Sequence, residues 1–192
     1  MTSQKIKHVL AILCLLLGLS ACDSSPSIIK WQEDVELKSG EIIRVNRTAK
    51  SKSFGEWGGP GGWENEGMTM QIATPIKADN PPLWDAKFVP VVFDRDASTG
   101  EWFIVATFYS CESWYELRRP KLPYTEYRLK NGVWQQGLLS PSSIGIKGNM
   151  VVDISSGGEP PLIDIITKRH RMATAGSAKK YKKIVSEWTT GC

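Results

Sequence analysis

Acid–base chemistry most often needs a histidine, and the chain has two, His8 and His170. His170 sits in Lys168-Arg169-His170-Arg171, where three neighbouring cations disfavour protonation without shaping a base for it. A Ser–His–Asp triad built on His170 is formally open, because serine and aspartate are plentiful. A solvated basic stretch is the plainer reading. The sequence holds no HExxH, no GxSxG, no CxxC and no phosphate-loop lysine after its glycine-rich segment, so no catalytic residue, metal ligand or cofactor is assigned. Asp94, Asp96 and Ser98 imitate the first three ligands of a calcium loop. The pattern then fails, with Thr99 where the sharp-turn glycine belongs and Val105 where the bidentate acid belongs. Those residues are expected to form a hairpin turn. Paired carboxylates for glycosidase work would come from Glu56, Glu64 and Glu66, which solvation of a loop explains equally well.

The glycine-rich segment 54–67 is the sharpest candidate for binding. Trp57 and Trp63 flank Gly58-Gly59-Pro60-Gly61-Gly62, and flat indoles beside bare backbone suit stacking on a sugar ring or a partner peptide. A packed loop with buried indoles is the structural alternative.

The first residues read as an address. Lys5 and Lys7 precede an uncharged run, Val9 to Leu19, too short to cross a bilayer as a helix but suited to a signal peptide. Leu19-Ser20-Ala21-Cys22 follows and resembles the lipobox of bacterial lipoproteins. That resemblance implies diacylglyceryl transfer to the Cys22 thiol and cleavage before it, removing residues 1–21 together with His8. Each buried acyl CH₂ contributes about 0.8 kcal/mol, so two or three chains make a stable anchor. Asp23 resembles the signal that retains lipoproteins in the inner membrane of enteric bacteria, with the outer membrane as the alternative. Residues 22–30 then form the lipidated end and a polar tether. The mature part resembles the small uncharacterised lipoproteins of Gram-negative bacteria, a likeness that brings no activity with it.

Of four cysteines, Cys14 leaves with the leader and Cys22 takes lipid. Cys111 and Cys192 remain, an even number for an oxidising compartment, and a disulfide between them is expected to hold the C-terminal segment against the fold. Charge is lopsided: residues 22–163 carry 15 basic and 18 acidic residues, residues 164–192 carry 7 and 2. Lys168, Arg169, Arg171, Lys179, Lys180, Lys182 and Lys183 could lie on anionic headgroups, or simply form the wet face of a helix. Nucleic acid is disfavoured by the compartment.

Residues 31–48 alternate as a hairpin about Ser39-Gly40, and Met68, Met70 and Ile72 alternate as a strand. Residues 87–93 form an apolar strand whose Pro90 suggests an edge or a bulge. Residues 101–109 are apolar on both parities and suit a central strand. Asn131-Gly132 marks another hairpin, 124–139, and Met150–Ile154 is a further candidate strand. Leu162 to Ile166 suits helix or strand. Tyr181, Ile184, Val185 and Trp188 fall on one helical face, so a helix is expected over 177–189.

These patterns give a single domain over 31–192, mainly β with antiparallel hairpins in a compact sheet or sandwich and a C-terminal α-helix, with α+β as the alternative. The expected function is a membrane-tethered, non-enzymatic binding or accessory module of the cell envelope, facing the periplasm, with an envelope protein or glycan as partner. A hydrolase acting on envelope glycans or peptides and a purely structural domain are the alternatives.

Overall fold

The computed structural model describes residues 27–54, 62–73, 80–108, 111–155, 158–174 and 179–189, with backbone only at 53–54 and 62–64. β1 (Ser27–Glu36) and β2 (Ile42–Phe54) form the expected hairpin, paired from Ser27↔Ser51 to Glu36↔Ile42; it extends beyond the expected 31–48, so residues 27–30, read as tether, are strand because they pair with 48–51. Its turn needs Gly40, whose φ of +86° is costly for any side chain. β3 (Gly62–Ile72) returns along β2 and carries β4 (Trp84–Ala86) on its far side. β9 (Leu162–Ile163) adds two residues parallel to β1, giving the order β4-β3-β2-β1-β9.

The second sheet has the order β5-β6-β7-β8, from β5 (Val89–Arg95), β6 (Trp102–Thr107), β7 (Tyr124–Lys130) and β8 (Val133–Gly137). Both sequence signals at Pro90 hold: β5 is an edge strand, and its register shifts between Pro90 and Val92. β6 is an interior strand with every residue buried, as its apolar composition on both parities requires. Asn131 and Gly132 take φ of 52° and 76° and close the β7–β8 hairpin. One apolar core joins the two sheets. Trp84 of the first meets Tyr127 of the second edge-on at 5.4 Å, and Phe93 stacks on Trp102 at 4.7 Å.

Three short helices complete the described chain: α1 (Cys111–Glu116), α2 (Ile165–Thr174) and α3 (Lys179–Lys182). The stretch 162–166, readable as strand or helix, is both, with Asp164 between β9 and α2. The Asp164 carboxylate accepts the Thr167 N–H at 2.8 Å, and this holds its pKa below the usual range.

Two expectations need correction. The helix over 177–189 is only the single turn of α3, because the chain beyond it pairs with 145–148 instead. Gly148 N–H donates to Lys182 O, Ile184 N–H to Ile146 O, and Gly145 N–H to Ile184 O, all within 3.0 Å. Tertiary pairing overrides the helical period while Ile184 still reaches the core. Nor is 150–154 a strand. Its N–H groups go elsewhere, Met150 to the Val91 carbonyl and Val151 to the Glu33 carboxylate.

Candidate functional site

The inner face of β1 alternates Ile29, Trp31, Glu33 and Val35, so a carboxylate falls where the period demands an apolar group. β2 does the same, with Arg47 between Val45 and Ala49. The two side chains are fully buried and meet at 2.7 Å. Arg47 also donates to the Met68 sulfur at 3.4 Å and lies over the Trp31 ring at 4.8 Å. Its Nε finds no hydrogen-bond partner among the described residues. The other Glu33 oxygen accepts the Val151 N–H at 3.2 Å and lies 3.7 Å from Lys168 Nζ. Lys168 comes from α2 and donates to the Asn149 carbonyl at 2.8 Å. Burial pushes its ammonium pKa down, and Glu33 opposes that.

This buried triad ties β1, α2 and the 149–151 segment together, and a cleft of about 610 Å³ lies against it, within the usual range of ligand sites. The cleft sits where β1 ends at Glu36, with the 142–149 segment and α2 as its other sides. Leu37, Ile144, Ile146, Ile165 and Met172 supply apolar lining. Lys38, Lys147, Lys168 and Arg169 line it as cations, against Glu36 and Asp94 as acids. Glu36 is held by Arg169 at 2.7 Å. Asp94 is buried and accepts the N–H groups of Lys38 and Arg95; burial pushes its pKa up, and those donors oppose it.

A second ionic group holds another part of the cleft. Glu126 of β7 accepts the Ser140 N–H at 2.9 Å and the Ser143 hydroxyl at 2.7 Å, at the 3₁₀ turn Pro141–Ser143 that leads into the cleft lining. Arg128 bridges Glu126 at 2.6 Å and Asp96 at 2.9 Å. Bonds from Ser98 and Arg128 keep the Asp96 carboxyl well below the usual range. Asp96 and Ser98 therefore do occupy the hairpin turn, with Asp96 accepting both the Ser98 hydroxyl and its N–H, whereas Asp94 belongs to β5, paired with Phe103. Among the described residues no acid–His–Cys cluster suits a metal ion.

The basic tail does not form one exposed surface. Lys168 is buried in the triad, and Lys180 is buried with its ammonium 4.5 Å from the Trp188 ring centre. Arg169 pairs with Glu36, and Arg171 with Glu159 at 2.6 Å. Lys179, Lys182 and Lys183 remain exposed. His170 is exposed on α2, and no hydrogen bond to its ring occurs among the described residues. Of the acids considered for glycosidase chemistry, Glu66 is exposed on β3, Glu64 lies on β3 in backbone only, and Glu56 is outside the described residues.

The glycine-rich segment is shorter than the loop read over 54–67, because Gly62–Gly67 continue β3 against β2. Gly62 and Trp63 thus begin a strand, while Trp57, Gly58, Gly59 and Gly61 lie outside the described residues. So do Cys22, Asp23 and Cys192. Cys111 opens α1 and is disulfide-bonded. No helix among the described residues is long and apolar enough to cross a membrane.

Sequence reasoning missed Glu33, Arg47 and Asn149. The first two had a signal, a charge at an apolar position of a strand. Asn149 had none, since its amide bonds the Glu36 and Phe93 carbonyls and the Phe93 N–H across the fold. No protein-family model, curated protein or solved structure matches the chain.

Proposed function

We propose that the protein is a non-enzymatic binding module of the cell envelope, tethered to a membrane by lipid on Cys22 and facing the periplasm. The observation that carries the binding role is the 610 Å³ cleft, part apolar and part charged, with its sides pinned by a buried ion triad. Pre-formed concave sites of that size and make-up suit a small molecule or a short segment of a partner.

The tether fits the same picture. β1 begins at Ser27, five residues after Cys22, a span of at most about 18 Å. The cleft lies at the other end of β1, and a strand from Ser27 to Glu36 advances about 30 Å. A lipid at Cys22 would therefore attach at the end of β1 away from the cleft. Asp23 favours the inner membrane, and a Cys111–Cys192 bond suits an oxidising compartment.

Palmitate labelling and fractionation test the tether. The native chain is expected to take label and sediment with membranes, and Cys22→Ser to lose both. An unlabelled native chain, or a Cys22→Ser chain still held by membranes, contradicts it.

A further inference from the structure

The cleft's charges are unevenly committed. Glu36 is neutralised by Arg169, and Lys168 shares Glu33 with Arg47. The two Asp94 oxygens accept main-chain N–H groups. Lys38 and Lys147 are exposed, line the cleft, and form no close ion pair among the described residues, although the Lys38 charge favours the Asp94 carboxylate. Ile144 is 40% exposed and Ile146 and Met172 are half-buried on the same cleft, so an apolar surface lies beside two exposed ammonium groups.

We infer that the cleft takes an organic anion with an apolar body, its acid group met by Lys38 and Lys147 and its body laid on Ile144, Ile146 and Met172. This rests on the reading of the protein as a binding module and adds the class of its ligand. An ammonium ligand would meet four cations and two acids already engaged, and a neutral one would leave both lysines without a close ion pair. A charge-assisted contact between lysine and an acid group gains strength beside an apolar wall, where water is thinned. The position at the end of β1 remote from the tether points to an acid from the aqueous compartment rather than a bilayer lipid.

Photolabelling tests this with the full mature chain in nanodiscs of zwitterionic lipid. The probe is a diazirine-bearing decanoate, compared with the matching alcohol and the matching alkylammonium. The carboxylate is expected to label residues 144–149 and 165–172, with the other two labelling at least about tenfold less. Lys38→Gln/Lys147→Gln is expected to lower the carboxylate labelling about tenfold. If that variant does not fold, raising the salt with the native chain gives the second readout, because exposed ion contacts are screened. Labelling that ignores salt or survives the double substitution overturns the anion contact. Equal labelling by alcohol or ammonium overturns the ligand class and leaves a binding cleft. No labelling of these segments by any probe removes the cleft's binding role as well.

Discussion

Two ionic groups hold this cleft, and they differ in how much water reaches them. Glu33–Arg47–Lys168 is almost wholly dry and joins β1, β2 and α2. Glu126–Arg128–Asp96 joins β7 to the β5–β6 turn, and there Arg128 and Asp96 each keep about a fifth of their side chain exposed (22% and 21%). In the dry group each charge depends on the others, because a lone buried ion is far costlier than the pair. In the wetter group solvent can replace a partner lost by Arg128 or Asp96, while Glu126 itself is buried. The comparison teaches that the cleft has one side fixed by the core and another fixed by contacts open to adjustment.

The largest expected effect comes from breaking the dry group. Arg47→Met leaves Glu33 with Lys168 alone at 3.7 Å, and should lower unfolding free energy by about 3–5 kcal/mol in urea denaturation. Replacing the whole group together, Glu33→Leu with Arg47→Met and Lys168→Met, should recover part of that, since no uncompensated buried charge is left. A triple variant as unstable as the sum of the three singles would show that the ions act independently and that the dry group is not a unit. Glu126→Gln should cost less, about 2 kcal/mol, because Arg128 keeps Asp96. Hydrogen exchange should then quicken at residues 140–143 and leave 149–151 unchanged.

A smaller effect is expected at Tyr124, which fastens the C-terminal segment. Its hydroxyl donates to the Lys180 carbonyl and accepts the Val185 N–H, both at 3.2 Å. Tyr124→Phe should cost about 1 kcal/mol in the same denaturation series. Burial raises the phenol pKa to about 12. The folded state thus holds this proton more tightly than the unfolded chain, whose phenol titrates near 10. The stability it contributes is fully present below that lower value and is lost as pH rises towards 12. Alkaline unfolding of Tyr124→Phe should be shallower across that window; an unchanged slope would deny the phenol this part. Least affected should be the pair of half-exposed Arg44 with Asp34 at 2.8 Å, where Arg44→Gln is expected to cost the least of the series in the same denaturation.

What the sequence revealed follows the range of the interactions. The Ser39-Gly40 and Asn131-Gly132 turns, the alternation through Met68 and Ile72, and the edge position of Pro90 are local, and each is read within a few residues. The cleft is not local. Lys168 looks like one of a solvated run until Glu33, far away in the chain, draws it inside. Tyr181, Ile184 and Val185 keep a helical period, but only Tyr181 lies in α3, and main-chain pairing of Lys182 and Ile184 with 145–148 ends the helix. Glu33 was detectable as a charge out of step with β1, although nothing in the chain near it names Arg47 as its partner. The aromatic glycine-rich segment stood out in sequence, yet the cleft is assembled from residues with no motif at all.

Hydrogen exchange of the full mature chain, with and without the decanoate probe, tests the central claim most directly. Added protection is expected in 144–149 and 165–172, where the cleft's sides meet its ligand, and none along β8 at 133–137. Unchanged exchange in both cleft segments, or protection that appears along β8 instead, would contradict it.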